Sequence, residues 1–179
     1  MEISREKSGI MPLQKYLDNK VPSFNGKTIV ITGGNSGIGF SLAKEASYKG
    51  AKVILACRNE ERAKRAIKLI KDEIKEADAS YIKYDQASFK SISEFANQLR
   101  KIKRIDSLVL NAGVFKPGKD LMTSEGFPLT TGTNYLGAFY LINKIKDLLS
   151  GGAIKQVVVV SSFAKLFAVS YTFIFIFLL

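Results

Sequence analysis

The octapeptide TGGNSGIG, Thr32 to Gly39, sets three glycines, Gly33, Gly37 and Gly39, between an apolar β-branched run and an amphipathic stretch. That arrangement can hold phosphate. A turn that brings its backbone against a pyrophosphate has no room for Cβ atoms at the points of closest approach, and the helix it opens offers free N–H groups and a positive dipole end to the anion. The GxxxGxG spacing departs from the commoner dinucleotide pattern GxGxxG, and glycines also punctuate ordinary strand-to-helix turns. Three of them so spaced, between a strand and a helix, favour phosphate binding.

The second apolar run ends Ala56, Cys57, Arg58, Asn59. A site for NAD usually carries an acid there, about twenty residues beyond the glycines, to accept the ribose hydroxyls. A guanidinium at that point suits the 2′-phosphate of NADP instead. The plainer reading has Arg58 opening a solvated basic helix, as Arg62 and Arg65 do. The missing acid favours the cofactor role. A third stretch, VVVVSS, closes a buried-looking strand on Ser161 and Ser162 and then runs into LFAVSYTFIFIFLL, whose fourteen residues include no acid or base.

Five short apolar runs must position these groups: Thr28 to Ile31, Lys52 to Ala56, Ser80 to Tyr84, Ser107 to Leu110 and Gln156 to Val160. They are β-branched and mostly unalternating, as strands covered on both faces are. Between them lie stretches with apolar residues at helical spacing. Ile38, Leu42, Ala43 and Ala46 stop at Gly50; then come Ala63, Ala66, Ile67, Ile70 and Ile74, then Phe89, Ile92, Phe95, Ala96, Leu99 and Ile102. The fourth connection reads as a loop leading into a helix from about Thr131 to Leu149. Alternating strand and helix predict an α/β, Rossmann-type, doubly wound parallel sheet. The expected organisation is an N-terminal extension over 1–24, a nucleotide-binding domain over 25–164 and a hydrophobic tail over 165–179.

With 179 residues, 46% of them hydrophobic, the chain suffices for one core. Its net charge of +11 invites a nucleic-acid reading, but NEERAKRAIKLIKDEIKEAD interleaves acids with bases and no stacking aromatics accompany it. No nucleic-acid partner is expected. A metal site is not expected either, since the chain has no histidine and a single cysteine, Cys57. The lone cysteine and an amino end without a long apolar core point to a reducing, cytoplasmic setting.

Taken together, these residues resemble the short-chain dehydrogenase/reductase family. TGGNSGIG matches its TGxxxGxG loop, Leu110 to Gly113 its NAG motif after the fourth strand, and Asp85 its adenine-contacting acid. Asn134 in NYLGAFYL is similar to its helix asparagine, and Ser162 to its catalytic serine. ACRN with NYLG is most similar to the retinol-dehydrogenase-like and WW-domain-oxidoreductase-like branch, many of whose members prefer NADP. The resemblance runs from about Asn25 to Ala164. It implies hydride transfer between NADP(H) and an alcohol or carbonyl carbon of a small molecule. It also implies cofactor contacts at Gly33, Asn35, Ser36, Gly37, Ile38, Gly39, Arg58, Asn59, Asp85, Gln86, Asn111, Ala112 and Gly113, with Ser162 and Asn134 as catalytic positions.

In the family a tyrosine follows the serine by a dozen or more residues and a lysine stands four beyond it, favouring the phenolate. Here the tyrosine after Ser162 is Tyr171, four before Phe175, and no lysine follows Lys165. Tyr16 with Lys20, Tyr48 with Lys52 and Tyr140 with Lys144 fit YxxxK in the wrong places. The expectation is therefore five strands without the family's last ones, and a scaffold whose turnover is impaired; the alternative is a non-catalytic NADP-binding or membrane-associated protein. Three accounts of the tail stand open: a foreign ending in place of the catalytic helix, a membrane contact through 166–179, and a segment folded back on the sheet. As a helix those fourteen residues would span about 21 Å, short of the ~30 Å hydrocarbon core.

Overall fold

The computed structural model describes residues 18–115 and 121–161 of the 179-residue chain. Its elements alternate as β1 (Thr28–Thr32), α1 (Gly37–Tyr48), β2 (Lys52–Cys57), α2 (Glu60–Glu73), β3 (Ala79–Lys83), α3 (Phe89–Leu99) and β4 (Ser107–Leu110). Then come α4 (Leu129–Thr131), a π-helical stretch (Gly132–Gly137), α5 (Ala138–Lys144), α6 (Lys146–Ser150) and β5 (Val157–Val159). The five strands pair in parallel in the order β3-β2-β1-β4-β5. From β1 the chain winds outward through β2 to β3, then crosses back to the other side of β1. The winding direction reverses between β1 and β4, and the carboxyl ends of those two strands diverge into a crevice.

Successive strand residues enter two different cores. Ile29, Ile31, Val53, Leu55 and Val109 pack with Ala43 and Ala46 of α1 and with Ala63, Ala66 and Ile70 of α2. Val30, Ile54, Ala56, Leu108 and Leu110 pack with Ile92, Phe95 and Leu99 of α3 and with Leu141 and Ile145. A strand covered on both faces has no solvent side to alternate with, so the runs read as unbroken apolar stretches. Local chemistry sets the helix ends: Asn59 caps α2 by accepting from Arg62 N at 2.8 Å, and Gly50, with φ +86°, follows the end of α1.

Three features depart from the sequence reading. Of the apolar positions expected on the face of α1, Ala43 and Ala46 meet the sheet, together with Gly39 and Ser47, whereas Ile38 is 70% exposed and Leu42 lies at the surface. Small residues let the helix axis approach closely, and that closer stripe takes the inner face. The single helix expected over Thr131 to Leu149 is broken into α4, the π-helical stretch, α5 and α6. A Cβ at Gly137 would lie 2.1 Å from the Gln86 carbonyl oxygen, and one at Gly132 would lie 2.4 Å from Thr123 Cγ2. The backbone there is pressed against its neighbours at both ends of GTNYLG, and the wider π turn accommodates it. Finally, Val158 and Val159 of β5, and Val160 just beyond it, stay more than a third exposed. Among the described residues, no helix is long and apolar enough to cross a membrane.

Candidate functional site

At the crevice between β1 and β4, one side chain holds both strand ends. Thr32 is fully buried; its Oγ1 accepts from Asn111 N and Ala112 N, both at 2.9 Å, and donates to Val109 O at 3.3 Å. Asn111 returns the link, its Nδ2 donating to Thr32 O at 3.0 Å. The loops leaving β1 and β4 are thus fixed to each other. They form one end of a cleft of about 310 Å³ running along the carboxyl ends of the strands.

The phosphate loop is built for an anion. Gly37 has φ +55° with open space where its Cβ would stand, whereas a Cβ on Gly39 would lie 2.5 Å from both Gly33 O and Asn111 Nδ2. One glycine keeps a cradle empty and the other permits close packing behind it. Ser36 occupies the N-cap of α1 without a side-chain cap hydrogen bond, and no acid stands in the first turn. By contrast Asn59 caps α2 and Ser88 caps α3 with their side chains. Among the described residues no side chain caps the N–H groups at the start of α1, which leaves them able to meet a phosphate.

At the tip of β2, Arg58 and Arg62 line the cleft together with Asn59, and neither arginine forms an ion pair among the described residues. Farther along α2, Lys64 pairs with Glu60 and Lys68 with Asp72. Arg62 is a cleft residue that the sequence reading assigned to a solvated helix face. Helical side chains lean toward the N-terminus, so a residue in the first turn reaches back to the strand tip, and that direction was the available signal. Cys57 lines the same cleft; burial pushes its thiol up to about 11, against smaller lowering by the Asn35 and Gly34 backbone.

The remaining wall comes from the ends of β3 and β4. Asp85 faces the cleft while its Oδ1 accepts from Ala87 N at 3.0 Å. Gln86 also lines it, but its amide is committed inward: Nε2 donates to Ala112 O at 3.0 Å and Thr133 O at 2.7 Å, and Oε1 accepts from Tyr84 OH at 3.0 Å. Asn134 pairs its amide with the Val114 backbone, accepting from N and donating to O, both at 2.8 Å. It braces the Asn111–Val114 wall. The hydroxyl of Thr133, another cleft residue, is buried with no hydrogen-bond partner among the described residues. That orphaned group, the empty cradle at Gly37 and the free end of α1 fit a phosphate-bearing nucleotide.

Of the expected contacts, Gly33, Asn35, Ser36, Arg58, Asn59, Asp85, Gln86, Asn111, Ala112 and Gly113 line this cleft; Gly37, Ile38 and Gly39 sit just beside it in the turn that opens α1. Ser162, Tyr171 and Phe175 lie outside the described residues. Thr32, Arg62, Val114 and Thr133 are additions that the sequence reading did not single out as site residues.

Comparison with known proteins agrees with this geometry. A family model described as short chain dehydrogenase matches residues 27–173. The chain belongs to the short-chain dehydrogenase/reductase family. It is 41% identical over 140 residues to the human (Homo sapiens) WW domain-containing oxidoreductase, covering 78% of this chain and 34% of that protein. Against retinol dehydrogenase 13 of Mus musculus it is 40% identical over 140 residues, covering 78% and 42%. The chain thus spans well under half the length of these curated relatives. Among solved structures it superposes on an uncharacterised protein from Mycobacterium paratuberculosis with TM-score 0.68 and 33% identity, over 80% of this chain and 48% of that one. A short chain dehydrogenase from Escherichia coli CFT073, solved with NADPH, gives TM-score 0.64 and 26% identity, over 77% and 59%. The family uses nicotinamide cofactors.

Two of the misplaced YxxxK pairs fall among the described residues. Tyr48 OH donates to Asp18 at 3.0 Å while Lys52 pairs with Asp78, so those two side chains are engaged elsewhere. Lys144 Nζ does sit over the Tyr140 ring, 5.1 Å from its centroid, and Tyr140 stacks on Phe89. Neither residue lines the cleft.

Proposed function

We propose that this chain is the nucleotide-binding part of an NADP-dependent oxidoreductase, acting between NADP(H) and the alcohol or carbonyl carbon of a small molecule. The observation that carries this reading is the pair of guanidiniums, Arg58 and Arg62, without an ion pair among the described residues, on the cleft that also holds TGGNSGIG, with no acid between Ala56 and Asn59. Bound there, NADP(H) would supply or accept the hydride. In this reading the start of α1 and the Gly33–Gly39 turn hold the pyrophosphate, Arg58 with Arg62 the 2′-phosphate, Asp85 the adenine, and Asn111–Gly113 the nicotinamide ribose. Asn134 acts through the wall it braces, and Ser162 is the substrate-positioning hydroxyl. The unit that does this runs over 25–164.

Arg58→Glu tests the reading by fluorescence titration with NADPH and NADH. A charge-assisted phosphate contact is worth about 1.5–3 kcal/mol, so NADPH affinity should fall roughly tenfold to a hundredfold while NADH changes little. Equal losses for both would overturn the assignment. One sequence observation supports a second reading, NADP binding without turnover: Phe175 stands where a lysine would follow Tyr171. Measurable oxidation of any alcohol by the purified chain excludes that alternative.

A further inference from the structure

The segment leading into α4 is tied to the loop between β3 and α3, part of which lines the cleft. Residues 121–129 fold as a small hairpin, with Leu129 N donating to Leu121 O at 2.7 Å, Thr123 N to Phe127 O at 2.8 Å and Gly126 N to Thr123 O at 3.1 Å. Its tip reaches the loop between β3 and α3. Phe89 N, in the first turn of α3, donates to Glu125 Oε1 at 2.7 Å, and Ser124 Oγ donates to Ala87 O at 3.3 Å. The Phe89 ring lies 6.1 Å from Phe127 and 4.3 Å from Tyr140, centroid to centroid. Asp85, Gln86 and Ala87, on the same loop, line the cleft.

We propose that Glu125 is a positioning residue that couples occupation of the Asp85–Ala87 end of the cleft to closure of the 121–129 hairpin. The inference rests on the nucleotide-binding reading above. Among the described residues the hairpin meets this loop and the start of α3 through one carboxylate, one hydroxyl and one ring. The second carboxylate oxygen, Oε2, is buried without a hydrogen-bond partner among the described residues, and the group is held chiefly by Phe89 N, with the Ser124 and Thr123 hydroxyls also drawn to it. The bond to Phe89 N is lost when the hairpin opens. A ligand that fixes the Asp85–Ala87 loop keeps the acceptor's partner in place, and so disfavours opening by the same free energy with which a closed hairpin favours the ligand.

The test is amide hydrogen exchange of residues 121–129 in the whole chain, with and without adenosine 2′,5′-bisphosphate, a probe for the adenine and 2′-phosphate end alone. In the wild type the bisphosphate should slow exchange at Thr123, Gly126 and Leu129 by about fivefold or more, the scale of ordinary site-to-site coupling. In Glu125→Ala that slowing should vanish, although the variant still binds the bisphosphate. Glu125→Gln keeps an acceptor for Phe89 N and should restore part of it. Binding with equal slowing in wild type and Glu125→Ala, or binding with no slowing in either, overturns the coupling and leaves the cofactor reading intact. Failure of the wild type to bind the bisphosphate overturns both.

Discussion

Replacing Thr32 by valine probes the join between β1 and β4 with little change of shape. The side chain is fully buried, and its hydroxyl serves three backbone groups: it accepts from Asn111 N and Ala112 N and donates to Val109 O. Valine keeps the branched volume and orphans two N–H donors. An orphaned buried donor costs roughly 1–3 kcal/mol, and Asn111 and Ala112 are only partly buried, which places each near the low end. With the lost bond to Val109 O, the expected destabilisation is about 2–4 kcal/mol. Thr32→Ser keeps all three bonds and removes a methyl group, worth about 1 kcal/mol. Urea unfolding separates them: at a slope of about 2 kcal/mol per molar, Thr32→Val should lower the midpoint by roughly 1–2 M and Thr32→Ser by about 0.5 M, with unchanged slope. A valine variant as stable as the wild type, or more stable than the serine variant, would refute the view that this hydroxyl joins the strands. NADPH affinity should fall with valine as well, because the Asn111–Gly113 wall loses its anchor.

Two further expectations concern titratable groups. Burial pushes the Asp106 carboxyl up, but the Thr28 N–H and then Arg104 and Lys27 outweigh it, and the group lies below its usual range. A folded-state value below the unfolded one adds stability above about pH 4 that is lost as pH falls through the folded value. Acid titration should therefore show Asp106→Asn to be less stable than wild type near neutrality, with the difference shrinking toward pH 3. For Cys57, a thiol near 11 is roughly one part in a thousand thiolate at pH 8, and it is buried. Alkylation by iodoacetamide should be negligible in the native protein and rapid in urea; fast native labelling would show that the cleft floor opens.

Much of the fold can be read directly from local pattern. The five unalternating runs appear as strands within a residue or two of their expected limits, and the helix ends at Asn59 and Gly50 follow from capping and φ preferences that depend on near neighbours. The ten cleft residues foreseen from the glycine loop, the β2 tip, Asp85 and the NAG stretch are legible for a similar reason: each sits at the carboxyl end of a strand, and a parallel sheet gathers those ends at one edge. Arg62 was missed because side-chain direction, as well as spacing, decides where a first-turn residue points. Ala43 and Ala46 face the sheet as their spacing implies, but Ile38 and Leu42 do not, because hydrophobicity alone ranks them above Gly39 and Ser47, whereas close packing ranks them below.

What the sequence determines here is what short-range chemistry controls: which runs extend, where helices start and stop, and which turn can accept a phosphate. Only the tertiary structure decides that Thr32 joins β1 to β4, that the amides of Gln86 and Asn134 are spent on the protein's own backbone, and that Glu125 fastens the 121–129 hairpin to α3. Those bonds link residues up to 80 positions apart. A hydroxyl, an amide or a carboxylate can satisfy solvent, ligand or a distant backbone group equally well, so the residue type leaves the partner open until the chain has brought one within hydrogen-bonding reach.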